Sequence, residues 1–318
     1  MNLIYNKIFL KHKTGDHAEN KKRLEVFGDL PEIKIDNGEK CLELVHSKKY
    51  IEYIKELSQK EESPNRDTII SKDSYQVACY AVGASIMASE QNDFALVRPP
   101  GHHAGFQKPQ GFCLFNNIAV AVQKLVNQDK KVFILDFDGH FGNGTAKIFY
   151  ESKDVLYLST HQYPIFPGKG WVDEIGQKQG KGYTINIPLP AKSGDDLFIQ
   201  SLKYFLPVIE RFNPNIIAVS AGFDGHYSDL LTDLNYSMNP FYEIGKILST
   251  NFKNIFAVLE GGYNLEYLPK CVYNFLAGIN QEGIKFKEDS TISDDSVKEE
   301  YDKRIKMLKR KISDYWSF

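Results

Sequence analysis

Five short apolar runs constrain the fold of this chain more than any other feature of its sequence. Each run is four or five residues long and is rich in Val, Ile, Leu or Phe. The runs are Phe94–Val97, Val132–Leu135, Val155–Leu158, Ile216–Val219 and Ile255–Leu259. This length and composition are typical of strands that are buried on both faces, as in a parallel sheet.

Stretches with apolar residues near helical spacing lie between these runs. Asn116–Asn127, Asp195–Arg211 and Asn239–Phe252 each place Ile, Leu, Val or Phe on one helical face. Pro207, within the second stretch, predicts a kink there. Because the predicted strands and helices alternate, we expect a three-layer α/β/α domain with a mainly parallel central sheet.

The end of the 318-residue chain has a different composition. We expect residues 1–285 to form the main domain and residues 286–318 to form a charged C-terminal segment. Ile305, Leu308 and Ile312 fit one helical face, which predicts a helix packed on the domain. Its Lys and Arg residues leave open a second interpretation, in which the helix contacts a partner or an acidic surface.

The overall composition excludes several classes of protein. Hydrophobic residues make up 42% and charged residues 25% of the chain, as in ordinary globular proteins. A net charge of −2 argues against a general nucleic-acid-binding surface. No apolar run approaches the roughly 18 residues of a membrane span. Four cysteines lie far apart, without a CxxC pair or a signal peptide, so we expect reduced thiols in a cytoplasmic protein.

Polar residues follow every one of the apolar runs. The five sequences that come next are RPPGHHAGF, DFDGHFGNGT, STHQ, SAGFDGH and EGGYN. In open α/β sheets, ligands bind outside the carboxyl ends of the strands. The sequence therefore predicts a functional site at that edge of the sheet.

The segment from Asp136 to His140 carries the strongest signal for a metal. In extended chain, alternate residues project to one side, so Asp136, Asp138 and His140 share a face while Phe137 packs on the other. Such a group at a buried strand end is poorly solvated without a cation, which favours a divalent metal. The alternative is an Asp that caps the next helix beside a hydrogen-bonded His.

Asp224, at the end of another predicted strand, is the natural third ligand. Two carboxylates and one imidazole leave positions for water and substrate, as in a catalytic zinc site, although oxygen-rich ligation also permits iron(II). Taken alone, Asp224 could equally be a turn residue. His226 is a weaker ligand candidate and is expected at the rim or surface.

His102, His103 and Tyr263 are the candidate catalytic side chains. Two adjacent imidazoles beside a metal suggest proton transfer to and from water, and Asp136 could orient one of them. Tyr263 follows two glycines and could donate a hydrogen bond to a developing oxyanion. Surface loop histidines and a plain Gly-Gly-Tyr turn are the alternatives.

These motifs, in this order, resemble the histone deacetylase/acetylpolyamine amidohydrolase family. The resemblance rests on RPPGHHA, GFCLFNN, DFDGHFGNGT, AGFD and EGGYN, and it covers about residues 1–280. The RPPGHH, GNGT and EGGYN forms are more similar to the class II and bacterial branch. The resemblance implies the arginase/deacetylase-like fold and a metal-dependent deacetylase.

The resemblance also implies a role for individual residues. Asp138, His140 and Asp224 match the zinc ligands. His103 matches the general base and acid, and His102 matches its electrostatic partner. Asp136 would hydrogen-bond His102, Asn143 would hydrogen-bond His103, and Tyr263 would polarise the acyl carbonyl.

Substrate and potassium residues are implied in the same way. Phe112 and Phe166 match aromatic channel walls around the acyl-lysine stem, and Gly111 would accept the substrate amide hydrogen. A structural potassium ion would lie at Asp136, Asp138, His140, Ser159 and Thr160, partly on backbone carbonyls.

The chain departs from the family pattern at three places. Phe141 stands where the family usually has a second His. The N-terminal HPExPxR pattern reads HAENKKR, which keeps His17, Glu19 and Arg23 without the prolines, and Arg23 could line an inner acetate channel. Leu231 stands where polyamine-specific eukaryotic relatives have a gatekeeper glutamate, which mildly disfavours that specificity but leaves bacterial acetylpolyamine enzymes open.

The expected function is zinc-dependent removal of an acetyl group from an acylated lysine side chain or small amine. The nearest alternative is acetylpolyamine hydrolysis, for which a homodimer would narrow the entrance to the site. The alternative from another class is a metal-containing binding module with little turnover. We expect neither nucleic acid nor a membrane among the partners.

Overall fold

The computed structural model describes residues 1–317 and is built around one seven-stranded sheet. Its strands are β1 (Leu3–Ile4), β2 (Phe94–Ala95), β3 (Val132–Asp136), β4 (Val155–Gln162), β5 (Thr184–Leu189), β6 (Ile216–Ala221) and β7 (Ile255–Leu259). Their order across the sheet is β1-β2-β7-β6-β3-β4-β5, and every neighbouring pair is parallel. The predicted three-layer α/β/α fold with a mainly parallel sheet is confirmed.

All five apolar runs contribute strands, but the sheet contains more than they predict. The first run forms only the two-residue β2, and the third extends to Gln162. The sequence did not predict β1 and β5. The TINIPL sequence of β5 contains Asn and Pro, and Pro188 is tolerated because β5 is an edge strand with no neighbour on its outer side.

Helices surround the sheet. They are α1 (Lys22–Glu25), α2 (Lys48–Lys60), α3 (Ser74–Gln91), α4 (Asn117–Val126), α5 (Asn143–Ile148), α6 (Asp195–Phe212), α7 (Asn239–Asn251), α8 (Tyr267–Ile279) and α9 (Asp295–Ile312). The three predicted helices correspond to α4, α6 and α7. Pro207 lies inside α6, which continues past it for five residues to Phe212.

The C-terminal segment covers the edge of the sheet. The apolar face of α9 is buried at Ile305, Leu308 and Ile312. Arg304 of α9 donates hydrogen bonds to the carbonyl oxygens of Tyr163 (3.1 Å), directly after β4, and Pro188 (3.2 Å), within β5. These contacts satisfy backbone acceptors at an edge strand, which would otherwise be open to pairing with another chain. They support our proposal that the charged C-terminal segment packs on the domain through a helix, which spans Asp295–Ile312; Phe318 lies outside the described residues.

The strand register brings the predicted functional residues to one edge. Asp136, the last residue of β3, pairs with Ser159 of β4 and with Ser220 of β6. Leu259, the last residue of β7, pairs with Ala221 of β6. The loops after β3, β6 and β7 therefore start side by side, as the sequence pattern predicts.

Two further observations concern the chain as a whole. No helix within residues 1–317 is long and apolar enough to cross a membrane. The four cysteines are free thiols, and three of them are buried.

Buried His46 gives the fold a predictable response to acid. Its Nδ1–H donates to the carbonyl oxygen of Gly105 (3.0 Å), and its Nε2 accepts the backbone N–H of Asn116 (2.9 Å). Burial lowers the pKa of His46 to about 4, although the Gly105 carbonyl opposes the shift. The unfolded chain therefore takes up this proton first, and the free energy of unfolding falls as the pH drops from 6.5 to 4. The His46 contribution is about 3 kcal/mol, at about 1.4 kcal/mol per pH unit.

We expect His46→Gln to be less stable than the parent protein at pH 7, with the difference shrinking at pH 4.5. Denaturant unfolding of both proteins at the two pH values measures the difference in their free energies of unfolding. The other titrating groups are the same in both proteins, so their contributions cancel in this difference. An equal difference at both pH values would contradict the assignment.

Candidate metal centre and catalytic site

Asp138, His140 and Asp224 form a compact group of buried ligand atoms. One ligand atom from each residue lies within 4.8 Å of the other two. His140 Nδ1 is 2.7 Å from Asp224 Oδ2 and 3.4 Å from Asp138 Oδ1. The two carboxylates are at most 1% exposed. Asp138 and Asp224 are 86 positions apart in the sequence, and the fold brings both of them to His140.

Backbone groups fix both carboxylates of this group. Gly261 N–H donates to Asp138 Oδ2 and Gly139 N–H donates to Asp224 Oδ1, each at 2.7 Å. A Cβ atom at Gly222 would overlap Asp138 Oδ2, so only glycine permits this approach of the β6 loop. The glycines after the strands therefore let three loops converge on one point.

The electrostatics of this group fit a divalent cation. Burial and the nearby Asp138 carboxylate raise the pKa of Asp224 to about 7. Against the effect of burial, the Asp224 and Asp138 carboxylates raise the pKa of His140 to about 10. Two mutually repelling carboxylates and an imidazole that faces both are stabilised when a cation replaces the proton between them. Oxygen and imidazole ligands suit zinc and iron.

His103 is held in the tautomer that a general base requires. Its Nδ1 lies 2.8 Å from Asn143 Oδ1, while the Asn143 amide donates to Gln110 Oε1 (3.2 Å). Because Asn143 presents an acceptor, Nδ1 carries the proton and Nε2 retains its lone pair. Burial, with the neighbouring His102 and His140, lowers the pKa of His103 well below its ordinary value. His103 is therefore neutral and can accept a proton.

His102 has the opposite electrostatic setting. Its Nδ1 lies 3.2 Å from Asp136 Oδ2, and Tyr157 donates a hydrogen bond to the same oxygen (2.9 Å). Although burial opposes it, the carboxylates of Asp138 and Asp136 raise the pKa of His102 to about 10. The rings of His102 and His103 are 4.0 Å apart. The pair thus consists of one charged and one neutral imidazole in contact.

Tyr263 is fixed from three sides. Its backbone N–H donates to Asp229 Oδ2 (2.6 Å), and the Arg23 guanidinium lies 4.9 Å from its ring centre. Its ring also packs edge-on to that of Phe112. Burial raises the pKa of Tyr263 well above its ordinary value, even though Arg23 opposes the shift. The phenol therefore keeps its proton and remains a hydrogen-bond donor.

A cavity of about 290 Å³, which we call the entry channel, leads to these groups. It is lined by Asp67, His103, Gly111, Phe112, His140, Phe166, Leu231 and Tyr263. Gly111 has a positive φ of 51°, and a side chain there would meet the His103 and Phe166 rings. The predicted channel residues Gly111, Phe112 and Phe166 thus line one cavity with the metal-facing groups.

Several residues of the site were not assigned roles from the sequence. Asp67 lies at the channel, but it belongs to a polar loop without any distinctive spacing. The Glu260 carboxylate accepts the backbone N–H groups of Gly101 (2.7 Å) and His102 (3.0 Å). It thereby ties the histidine loop to the tyrosine loop. The only sequence signal for this role of Glu260 was its position directly after an apolar run.

Arg23 and Glu19 belong to a buried ionic cluster beneath the tyrosine loop. Arg23 donates to the carbonyl oxygens of Gly262 (2.7 Å) and Glu260 (2.5 Å). Glu19 pairs with both Arg98 and Arg23. Although burial opposes it, Arg98 lowers the pKa of Glu19 to about 2, so the carboxylate stays ionised. The cluster holds the backbone of the loop that carries Tyr263.

His226 and Phe141 both lie outside the ligand group. The expectation of a rim or surface His226 is wrong: its ring is buried between those of Tyr227 and Tyr267, and its Nε2 contacts Glu288 (3.1 Å). Phe141 packs 4.8 Å from the ring of His161 and is not a ligand.

The potassium site stays a prediction. Asp136 ends β3 and pairs with Ser159 of β4, Thr160 follows Ser159 in β4, and Asp138 and His140 lie in the loop after β3. The Ser159 hydroxyl contacts His161 Nδ1 at 2.8 Å.

Comparison with known proteins identifies the class. The protein-family model described as "Histone deacetylase domain" matches residues 17–279 of this chain. The chain therefore belongs to the histone deacetylase family, and the predicted family and enzyme class, a deacetylase, are confirmed.

Individual relatives agree with this class. A "Probable deacetylase" of Archaeoglobus fulgidus is 33% identical, over 99% of this chain and 98% of its own length. "Histone deacetylase 10, chloroplastic" of Oryza sativa subsp. japonica is 46% identical, over 56% of this chain and 42% of its own length. The crystal structure of the HDA15 HD domain has a TM-score of 0.87 and 28% identity, covering 99% of this chain and 97% of that one.

Proposed function

We propose that this protein is a zinc-dependent amidohydrolase that removes a small acyl group, such as acetyl, from an acylated lysine side chain or small amine. One observation carries the proposal. The entry channel brings together His140 of the metal group, the neutral imidazole of His103 and the protonated phenol of Tyr263. These are the groups that hydrolysis of an unactivated amide requires.

Asp138, His140 and Asp224 would hold the metal. Two carboxylates and one imidazole leave coordination positions for water and substrate, and zinc bound there would polarise the amide carbonyl and lower the pKa of water. Asp138 and Asp224 are each fixed by a backbone N–H, which orients their remaining lone pairs before any metal binds.

His103 would move the proton. Its Nε2 accepts a proton from the attacking water, and its Nδ1 stays bound to Asn143 throughout. The same nitrogen then delivers the proton to the departing amine, which avoids expulsion of an amide anion. His102, charged and held by Asp136, keeps positive charge next to His103. That charge makes the protonated state of His103 a strong acid at the moment it must donate.

Tyr263 would donate its hydroxyl hydrogen to the carbonyl oxygen as negative charge develops there. The high pKa of the phenol keeps that hydrogen in place at neutral pH. Asp229 and Arg23 hold the backbone and ring, so little reorganisation is needed during the reaction.

The channel suits a thin aliphatic chain with a small acyl cap. Phe112 and Phe166 line it, and each buried methylene of a substrate gains about 0.8 kcal/mol. Leu231 at the channel offers no charge for the amines of a polyamine, whereas the Asp67 carboxylate lines the same channel. The lining therefore leaves acetylpolyamine as an alternative to acyl-lysine.

A substrate panel on protein of verified zinc content tests the proposal. Acetyl-lysine peptides are assayed in parallel with N-acetylputrescine and N-acetylspermidine, before and after chelation and zinc restoration. We expect release of acetate from the peptides that chelation abolishes and zinc restores. Faster hydrolysis of the polyamines would favour the amidohydrolase alternative. No turnover of any acyl amine by the zinc-loaded protein would favour the binding module.

The Tyr263→Phe variant is expected to lower kcat about 100-fold, because the variant loses one oxyanion donor and little else. Zinc content should stay near one per chain and KM should change little. Tyr242→Phe, which removes a hydroxyl bound to the Glu282 carbonyl far from the channel, is the matched control. Equal kcat values for the parent and Tyr263→Phe would remove Tyr263 from the mechanism.

A further inference from the structure

A second cavity, of about 410 Å³, lies beside the entry channel and has no role in the mechanism above. We call it the basic pocket; it is lined by His103, Gly105, Lys108, Gln110, Phe141, Asn143, Gly144, Ala146, Lys147, Tyr150, Lys169 and Glu174. His103 lines both cavities. The basic pocket therefore adjoins the catalytic centre, since it shares the His103 side chain with the channel.

The charge of this pocket is unusual for the chain. Three lysines and one glutamate line it, whereas the chain as a whole has a net charge of −2. Within residues 1–317, no carboxylate forms an ion pair with Lys108, Lys147 or Lys169. In the described part of the chain, Glu174 forms no ion pair with them; its Oε1 accepts the N–H groups of Gly170 (2.8 Å) and Trp171 (3.2 Å), and the three lysines leave the lining with an excess of positive charge.

Short pieces of chain connect the two cavities. Gly111 lines the channel and Lys108, three residues earlier, lines the pocket. Phe166 lines the channel and Lys169, three residues later, lines the pocket. Three residues span at most about 11 Å, so the lysines lie within that backbone distance of the channel wall. A substrate peptide rises about 3.3 Å per residue, so about three residues cover this upper limit and two cover a shorter separation.

We propose that the basic pocket is a substrate subsite that binds the carboxylate side chain of an Asp or Glu located two or three residues from the acylated lysine. This proposal rests on the proposed function and narrows its substrate class to acyl-lysine in acidic sequence. Lys108, Lys147 and Lys169 supply the positive charge. The same charge repels the free ammonium groups of an acetylated polyamine.

Peptides that differ only in their flanking residues test the subsite. Three acetyl-lysine peptides carry Glu, Gln or Lys at the positions two and three residues from the acetylated lysine. We expect kcat/KM to fall in that order, about tenfold between the extremes at low salt, mainly through KM. At about 0.5 M salt the ratio should fall to about twofold, because screening weakens exposed charge pairs.

The readout for variants is the ratio of kcat/KM between the Glu and Gln peptides, which cancels general effects on catalysis. In Lys108→Gln/Lys147→Gln/Lys169→Gln this ratio should fall to about one. Lys303→Gln/Lys306→Gln/Lys311→Gln makes the same change in net charge on exposed positions of α9 and should keep the parent ratio. No preference in the parent protein, or equal loss in both variants, would overturn the proposal.

Two further experiments test the subsite, one by inhibition and one by binding. Inorganic phosphate at constant ionic strength should inhibit the Glu peptide more than the Gln peptide, because it competes with the Glu carboxylate for the lysines; equal inhibition would mean that phosphate acts elsewhere and that the pocket does not select the carboxylate, which contradicts a substrate subsite. If the zinc-loaded protein hydrolyses no peptide, the proposed function fails. Fluorescence anisotropy of labelled Glu and Gln peptides then tests the subsite alone, and equal Kd values would overturn it.

Discussion

His103→Ala is expected to lower kcat about 1,000-fold while the protein keeps its metal. General acid–base catalysis by a positioned side chain contributes typically 10²–10⁴-fold. His103 performs both proton transfers in the proposed mechanism, and Nε2 is its free nitrogen because Asn143 holds Nδ1 at 2.8 Å. No other neutral imidazole lines the entry channel among residues 1–317, since His140 faces the two carboxylates. Steady-state kinetics together with metal analysis of the purified variant measure the effect.

Asn143→Ala provides a graded comparison for this variant. It leaves the His103 ring in place but removes the acceptor that fixes its tautomer, so we expect a loss of only about 10-fold to 100-fold. Loss of zinc from His103→Ala would mean that His103 is a ligand and that the assignment of the metal group is wrong. A larger effect from Asn143→Ala than from His103→Ala would contradict the role given to the imidazole.

Asp224→Asn is expected to abolish metal binding and, with it, activity. The change preserves the shape of the side chain but removes the negative charge that attracts the cation, and Asp224 Oδ2 lies at the centre of the ligand group, 2.7 Å from His140. Metal content after dialysis against zinc should fall to a small fraction of one per chain. Asp233→Asn, a change of the same type at a residue that contacts Gln162 instead, should keep zinc and activity.

The thermal stability of Asp224→Asn offers a second, independent readout. The variant lacks the charge that attracts the cation, so zinc should bind the folded parent and not the folded variant. Zinc should then raise the melting temperature of the parent and leave that of the variant unchanged.

Local sequence pattern predicts much of the sheet and of the site. Alternation within Asp136–His140 predicts that the two carboxylates and the imidazole share one face; in the structure β3 ends at Asp136, and the bend that follows brings Asp138 and His140, without Asp136, into the ligand group. The order of apolar runs and helices predicts parallel strands, whose carboxyl ends must meet at one edge. From these two facts alone, Asp138, His140 and Asp224 are expected to converge. In the structure, their ligand atoms lie within 4.8 Å of one another.

The parts that local pattern could not predict depend on contacts between distant segments. β5 contains Asn and Pro and forms a strand only because β4 offers it a partner. Glu260 looks like a loop residue until its carboxylate meets the backbone of Gly101 and His102, more than 150 residues away. His226 was expected at the rim or surface because its segment is a Gly-flanked loop, yet Tyr227 beside it and the distant Tyr267 and Glu288 cover it.

The sequence by itself determined the class of chemistry of this chain. The types of ligand residue, their positions after buried strands and the family motifs all lie within short segments of sequence. Only the tertiary structure decided which imidazole is neutral and which is charged. His102 and His103 are adjacent, and their difference arises because Asp136 faces one ring and Asn143 faces the other. The pKa of a buried group depends on the charges and dipoles around it in space, and the fold alone brings those groups together.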